Sequence, residues 1–299
     1  MEAFNIIEVE QLTGIKAHTL RIWEQRYAFL SPGRDELNTR WYSTADLLMI
    51  LEIALLKDHD HRISTIVSMP EVTRKGKVSE ILNKLMNFPT AVMGLLICMA
   101  KEDHEEFERI LASLTLKYGI EKTITDAIYP LLMRTGMIWG NTIISSGQEN
   151  MVRDIVRYNL SYTVKKQELQ MVDHDKHFMF FLPPGEEDDL AMIFAQFLVQ
   201  REGNKVTFFN EALPTEHVIQ KASLLQADCV LSILNNYPDS FLSAQGFVDQ
   251  LGNATTIPVL LSGSKMIGQG IIEPEKISIF NKFQDLIDFM EEQRVSVCY

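Results

Sequence analysis

The stretch Lys16–Tyr42, KAHTLRIWEQRYAFLSPGRDELNTRWY, decides how the first part of the chain folds. On a helix with about 100° between successive residues, Leu20, Trp23 and Tyr27 lie on one side. The opposite side carries His18, Arg21, Ile22 and Gln25. The first side can pack on a small core, whereas the second has side chains that reach a phosphate or a base edge. The pattern predicts an amphipathic helix with one face free for a polar partner.

The segments on either side of this helix predict a winged helix-turn-helix. Upstream, Val9 and Leu12 belong to a short helical pattern that ends at Gly14. Downstream, Ser31-Pro32-Gly33 ends the helix, and residues 37–42 form a short extended segment. The predicted order is therefore helix, tight turn, helix and wing.

The residues TLRIWEQRY at 19–27, P-x-R at 32–34 and N-x-R-W-Y-S at 38–43 resemble the MerR-type transcription regulators. The resemblance is strongest to the branch that joins this DNA-binding domain to a cobalamin-binding sensor, and it covers about the first 70 residues. In that family the second helix enters the major groove, and the wing contacts the backbone and minor groove.

The resemblance implies that Thr19, Arg21, Trp23, Arg26 and Tyr27 of the helix and Arg34, Arg40 and Tyr42 of the wing contact DNA. The full predicted DNA-binding set adds Lys16, His18 and Gln25. For Trp23 and Tyr27 the alternative is packing in the core alone. For Arg26 the alternative is a solvated surface charge.

Composition and charge limit the class of protein. The 299 residues suffice for about two or three domains, and 46% hydrophobic with 23% charged residues is typical of a soluble globular protein. The formal net charge of -12 argues against a general nucleic-acid coat. Residues 16–42, however, carry five Lys or Arg against three acids, and DNA binding depends on the charge close to the phosphates.

The cysteines predict a reducing compartment. Cys98, Cys229 and Cys298 are scattered and show neither a disulfide framework nor zinc-site spacing. No apolar run approaches the roughly 20 residues of a membrane span, and no signal-peptide pattern is present. We expect a cytoplasmic protein with no membrane contact.

After the wing the pattern is helical as far as residue 169. Ser43 and Asp46 form a predicted capping box for the next helix, a short helix follows at 63–67, and residues 70–77 have the composition of a linker. The next predicted helices, which suggest a bundle, are 79–87, 89–99, 103–117, 120–138 and 146–168.

Strands and helices alternate from residue 177 onward. Predicted strands lie at 177–182, 205–209, 228–234, 257–261 and 277–280, and predicted helices at 187–201, 215–225, 239–251 and 281–293. This alternation implies a doubly wound parallel sheet whose ligand edge lies beyond the carboxyl ends of the strands. The predicted fold class is multidomain α and α/β: a winged helix-turn-helix at 1–72, a four- or five-helix bundle at 78–170 and a flavodoxin-like domain at 176–299.

A bundle followed by such a sheet resembles the cobalamin-binding module of these regulators and of cobalamin-dependent methyltransferases. In that module the corrin lies between bundle and sheet, and the bundle carries a tryptophan with a Glu-His pair ten residues later. Here Trp139 is followed at that spacing by Glu149, but Asn150 stands where the family has histidine.

The motif that ligates cobalt is incomplete. The family places Asp/Glu-x-His-x-x-Gly after the first strand; Glu186 keeps the acid, but Asp188 and Ala191 replace the histidine and the glycine. Imidazole suits a transition metal far better than a carboxylate does. The family's serine near the nucleotide tail is retained as Ser232, and Ser262-Gly263 replaces a Gly-Gly pair. The candidate cofactor-binding set is Trp139, Glu149, Asn150, Glu186, Asp188, Ser232, Ser262 and Gly263.

Three alternatives follow for this half of the chain: cobalamin held without a histidine ligand, another ligand in the same cleft, or a domain that serves only assembly or protein contacts. No metal site is predicted. The Asp- and His-rich segments at 58–61 and 173–177, which contain His59, His61, His174 and His177, are interpreted as solvated rather than metal-binding.

Together these features predict a sequence-specific DNA-binding regulator of the MerR type, a repressor rather than an enzyme. Its partners would be a double-stranded operator, further copies of itself in a dimer or tetramer, and a small-molecule or protein effector. The alternative hypothesis, from another class, is a corrinoid-binding carrier subunit of a methyltransferase or mutase.

Overall fold

The computed structural model describes residues 3–36, 38–84, 87–140, 142–170, 174–187, 189–237 and 243–295. Predicted features at Leu37, Asp173, residues 239–242 and Cys298 lie outside these ranges. The chain divides into two units: Met1–Ile138 with Thr142–Val156, and Trp139–Asn141 with Arg157–Tyr299.

The first unit begins with the predicted winged helix-turn-helix. Its elements are β1 (Ala3–Asn5), α1 (Ile6–Thr13), α2 (Ala17–Tyr27), β2 (Gly33–Arg34) and β3 (Arg40–Ser43). The strands form an antiparallel sheet in the order β1-β3-β2, in which Phe4 pairs with Tyr42. Asn5 caps the start of α1, and Gly14 ends it with a left-handed φ of 75°. The fold prediction is confirmed here, although β1 was not predicted.

The two helices after the wing were also predicted. They are α3 (Thr44–Asp58) and α4 (Ile63–Ser68). The capping box is present: the Asp46 backbone N–H donates to Ser43 Oγ at 3.1 Å, and the Ser43 N–H donates to Asp46 Oδ2 at 2.9 Å. Leu47, Ile50 and Leu51 of α3 are fully buried.

The predicted linker at 70–77 is wrong, because these residues belong to α5 (Glu71–Asn83). Pro70 occupies the N-cap position, where its missing N–H costs no helical hydrogen bond. Arg74 then turns inward, and its Nε donates to Glu52 Oε2 of α3 at 2.8 Å. A buried ion pair therefore holds as helix a segment whose polar composition is typical of a loop.

The bundle helices predicted at 89–99, 103–117 and 146–168 are present. The one predicted at 79–87 overlaps the end of α5, and the one predicted at 120–138 is divided into shorter elements. Further elements follow α5 in the bundle. They are α6 (Phe88–Lys101), α7 (His104–Tyr118), α8 (Ile120–Thr123), α9 (Tyr129–Thr135) and α10 (Ser146–Gln170), with a π-helical turn at Ile124–Ile128 and a 3-10 turn at Met137–Trp139. The π turn precedes Pro130, which has no N–H to donate to the regular helical ladder. Among the described residues, none of the helices combines the length and apolar character needed to cross a lipid bilayer.

The second unit is built on the predicted parallel sheet. Its elements are β4 (His177–Leu182), α11 (Leu190–Arg201), β5 (Lys205–Ala212), α12 (Thr215–Leu225), β6 (Cys229–Ile233), α13 (Ala244–Ala254), β7 (Val259–Ser262), β8 (Ile277–Ile279) and α14 (Phe283–Val295). The strand order β5-β4-β6-β7-β8 is the flavodoxin-like order, and every neighbouring pair is parallel. The point where the winding direction reverses lies between β4 and β6.

The Glu52–Arg74 pair gives a stability prediction. Glu52 is 1% exposed, and a second cation, Lys101, has its Nζ 3.9 Å from Glu52 Oε1. Glu52→Ala leaves the Arg74 guanidinium buried without its partner, which should lower the free energy of unfolding by about 3 kcal/mol. Urea denaturation followed by far-ultraviolet circular dichroism measures this loss.

The matched control is Glu71→Ala, which breaks the solvent-exposed pair between Glu71 and Lys75 on α5. This substitution should leave the unfolding midpoint unchanged, since exposed pairs contribute little. Equal midpoints for Glu52→Ala and Glu71→Ala would contradict the role given to the buried pair.

Candidate DNA-binding surface and ligand edge of the sheet

Helix α2 has one buried and one exposed face, as its sequence predicts. Leu20 and Trp23 are buried and Tyr27 is half-buried. His18, Arg21, Ile22, Gln25 and Arg26 are all exposed. The Arg26 guanidinium lies 5.5 Å from the centre of the Tyr27 ring, a distance at which a cation and a π system attract. The exposed face presents cations and hydrogen-bonding side chains to solvent.

Trp23 does not belong to this exposed face. It is 6% exposed, and its ring centre lies 6.4 Å from that of Phe29. Its inclusion in the DNA-facing set, which came from the family resemblance, disagrees with this burial. The helical periodicity of the sequence had already placed Trp23 on the core side.

Glu24 joins α2 to the wing, here defined as β2, β3 and the turn between them (residues 33–43). Its Oε2 accepts a hydrogen bond from Arg40 Nε at 2.8 Å, and its Oε1 accepts one from the Tyr42 hydroxyl. The Arg40 and Glu24 side chains are only 20% and 10% exposed. Burial, together with the hydrogen bond to Glu24, raises the pKa of Tyr42 well above its ordinary value. The phenol therefore stays protonated and remains a donor across the physiological range.

These contacts change the predicted roles of Arg40 and Tyr42. Both were predicted to touch DNA from the wing, but Tyr42 is fully buried and Arg40 is engaged by Glu24. Both side chains join the wing to α2 through their hydrogen bonds to Glu24. The prediction overlooked Glu24, although it is the only acid in the sequence of α2.

The tip of the wing is held by its own side chains. Asp35 Oδ1 accepts from the Thr39 backbone N–H at 2.8 Å, and Asp35 Oδ2 accepts from Trp41 Nε1 at 3.1 Å. Asn38 has a left-handed φ of 62° and accepts a hydrogen bond from Arg34 Nη1 at 2.7 Å. Arg34 remains exposed, so this predicted cation faces solvent from a turn that is held by hydrogen bonds.

Lys16 and Thr19 lie at the start of α2. Lys16 Nζ is 2.9 Å from Glu10 Oε1, and Glu10 Oε2 accepts the Ala17 backbone N–H at 2.7 Å. The Ala17 hydrogen bond and then Lys16 hold the pKa of Glu10 below its usual range. Lys16 is exposed and Thr19 is half-buried. Both predicted residues therefore retain contact with solvent.

At the carboxyl edge of the sheet, three loops are joined by hydrogen bonds. Glu186, which is 5% exposed, lies in the loop after β4, and its Oε2 accepts the backbone N–H groups of Asn235 and Asn236, both at 2.7 Å. Asn235, after β6, accepts the Ser264 N–H through Oδ1 at 3.1 Å and the Ser264 hydroxyl through its carbonyl at 3.0 Å. Glu186, Asn235, Asn236 and Ser264 form what we call the loop clamp.

The serines predicted near a nucleotide tail are engaged inside the sheet. Ser232 Oγ donates to the Phe181 carbonyl at 2.9 Å, and Ser262 Oγ donates to the Phe280 carbonyl at 2.6 Å. Both serines are fully buried. Their hydroxyls bind neighbouring backbone rather than facing the edge.

Further members of the predicted cofactor set are Trp139, Glu149, Asn150 and Asp188. Trp139 stacks on Phe283, with ring centres 4.9 Å apart and planes 16° apart. Glu149 pairs with Arg153 at 2.6 Å, and Asn150 is exposed. Asp188 lies outside the described residues.

A histidine-ligated corrinoid does not fit these residues. The loop 183–189, which would supply the ligand, contains no histidine, and its Glu186 is already bound to two backbone N–H groups. Elsewhere, His177 Nε2 lies 2.9 Å from the Thr207 hydroxyl and His59 Nε2 lies 3.1 Å from that of Thr90. Within the described ranges, no three His, Cys, Asp or Glu residues are grouped to hold a metal ion.

Gly263 gives a prediction about this edge. Its φ is +103°, and a Cβ there would lie 2.2 Å from the Leu234 carbonyl oxygen. Gly263→Ala should lower the free energy of unfolding by more than about 2 kcal/mol, because it adds a backbone clash to the left-handed strain. Gly268→Ala is the matched control: φ is +74°, no atom lies within 4 Å of its Cβ, and strain alone should cost about 1 kcal/mol. Equal losses in urea titrations would show that Gly263 is not needed for the close approach.

Comparison with known proteins agrees with this geometry. Residues 4–69 match the MerR HTH family of regulatory proteins. The HTH-type transcriptional repressor CarH of Myxococcus xanthus is 22% identical over 226 residues, which cover 74% of this chain and 75% of that protein. The repressor CarA of the same organism is 22% identical over 266 residues, covering 85% and 84%.

The solved structure of the Methanosarcina barkeri monomethylamine corrinoid protein is similar in fold. It superposes with a TM-score of 0.50 at 14% identity, over 72% of this chain and 98% of that one. At this identity the likeness shows the fold alone. Residues 4–69 are thus a MerR-type helix-turn-helix domain, and the chain that carries it is similar to two transcriptional repressors over most of its length.

Proposed function

We propose that this regulator represses transcription by binding a specific double-stranded operator, in the cytoplasm, as a dimer or tetramer. The observation that carries the proposal is the exposed face of α2, which presents Arg21, Gln25 and Arg26, together with the exposed Arg34 of the wing. The one acid of the helix, Glu24, is neutralised by Arg40 and points away from solvent. The similarity to two proteins named transcriptional repressors supports repression over activation.

The residue types on this surface suit the two kinds of DNA contact. Guanidinium groups bind phosphate oxygens, which gives Arg21, Arg26 and Arg34 the positioning contacts. His18 and Gln25 can exchange hydrogen bonds with base edges in the major groove, which is wide enough to admit a helix. Two copies of the chain would place two α2 helices in successive major grooves, about 34 Å apart.

The second unit is assigned to assembly and effector response, with no catalytic step. The loop clamp joins the segments after β4, β6 and β7, so a small molecule or partner protein at this edge would act on all three together. An effector would shift the balance between oligomeric arrangements that differ in DNA affinity. The corrinoid-carrier hypothesis has only the similarity of fold in its favour.

Salt dependence tests the phosphate contacts. An operator is first selected from a random duplex pool by the full-length protein, and affinity is then measured by fluorescence anisotropy at several salt concentrations. Arg21→Ala should weaken binding and reduce the slope of log K against log salt by about one per protomer.

Lys276→Ala, an exposed cation of the sheet unit, should leave both affinity and slope unchanged. An unaltered slope for Arg21→Ala would remove Arg21 from the phosphate contacts. Failure to enrich any sequence would contradict operator binding itself.

The role of Glu24 can be tested with Glu24→Ala, because two explanations predict opposite changes in DNA affinity. Removing an acid next to DNA should strengthen binding if only charge matters. If Glu24 instead positions the wing, Glu24→Ala should weaken binding about tenfold, because about 1–2 kcal/mol of hydrogen bonding to Arg40 and Tyr42 is lost. Glu24→Gln, which can still accept from Tyr42, should lose less.

The control for the direction of this affinity change is Glu36→Ala, which removes an exposed acid from the turn of the wing. That variant should bind the operator as tightly as wild type or more tightly. If Glu24→Ala and Glu36→Ala change affinity in the same direction, the positioning role of Glu24 is wrong.

A further inference from the structure

We propose that Ile22 reads thymine methyl groups in the operator, so that one position of each half-site is specified by an apolar contact. This inference rests on the proposed DNA-binding function and names the base that the surface recognises. It concerns a residue that lies outside the set carried over from the family resemblance.

Ile22 is the exposed exception among the large aliphatic and aromatic residues of α2. It is 52% exposed, whereas Leu20 and Trp23 of the same helix are 0% and 6% exposed. The helix therefore buries its other large apolar side chains in the core and leaves Ile22 in contact with solvent. A β-branched side chain is also stiff, so its methyl groups keep one position on the helix.

The position of Ile22 is on the face that the proposal turns toward DNA. At about 100° per residue, Arg21, Gln25, His18, Ile22 and Arg26 fall in this order within an arc of about 140°. Ile22 lies between the hydrogen-bonding pair His18 and Gln25 and the cation Arg26. A helix seated by those neighbours would carry the Ile22 methyl groups into the groove with them.

The charge around Ile22 decides which partner covers it. The face carries Arg21 and Arg26, and Glu24, the only acid of α2, is engaged by Arg40 on the other side. A cationic rim is complementary to a polyanion, which favours DNA over an apolar protein surface. On the major-groove floor the apolar group that a protein can touch is the C5 methyl of thymine.

Replacing thymine by deoxyuridine tests this contact, since deoxyuridine lacks only that methyl group. Each thymine of the selected half-site is substituted in turn, and the affinity of the full-length protein is measured. Wild type should lose affinity about fourfold per half-site at one thymine position, the effect of removing one buried methyl. With Ile22→Ala the same substitution should have no effect.

Two further variants separate the contact from general effects on the helix-turn-helix. Ile22→Val keeps branched methyl groups and should keep the loss on deoxyuridine substitution. Ile7→Ala removes another exposed apolar side chain, 71% exposed at the start of α1, and should also keep it. Circular dichroism should show the same helix content in all variants.

The inference is overturned if no thymine of the half-site is sensitive to loss of its methyl group. It is equally overturned if Ile22→Ala retains the wild-type sensitivity at the same position. A pool that yields no enriched sequence would instead overturn the proposed function, and this inference with it.

Discussion

The ion pair between Glu24 and Arg40 fixes the shape of the surface that this regulator presents. A recognition helix and a wing are useful to each other only if their relative position is constant, because phosphates on a duplex are regularly spaced. Glu24 holds Arg40 and the Tyr42 hydroxyl at once, in a setting from which most water is excluded. The same contact removes the only negative charge of α2 from the exposed face, so one interaction supplies both rigidity and a positive potential.

Polar side chains are also engaged by the protein itself at the carboxyl edge of the sheet. In a doubly wound fold the carboxyl ends of the strands normally leave polar groups for a ligand. Here the Glu186 carboxylate accepts two backbone N–H groups, and the Ser232 and Ser262 hydroxyls donate to carbonyls within the protein. A ligand that needed these groups would first have to break bonds that stabilise the loops. The edge occupies the position at which doubly wound folds bind ligands, and the protein's own groups satisfy much of its hydrogen bonding.

Elements with a strong local pattern were predictable from the sequence, whereas contacts between distant residues were not. The 3.6-residue periodicity placed Trp23 in the core, and the alternation after residue 177 gave the parallel sheet, because both patterns reflect burial of one face. The segment 70–77 was misassigned because its helical state depends on Glu52, which lies far away in sequence. The surroundings of Arg40 were not predicted for the same reason: they are set by Glu24, a partner that no local pattern connects to it.

The corrected segment at 70–77 changes how a signal can travel within the first unit. A flexible linker would let the helix-turn-helix move independently of the bundle helices. A continuous α5 whose Arg74 is bound to Glu52 of α3 does not allow this, and Lys101 of α6 adds a third charge at 3.9 Å. Separating buried charges is strongly unfavourable, so α3, α5 and α6 should move as one body. A shift imposed on α6 then reaches α3, and through β3, which runs directly into α3, it reaches the wing.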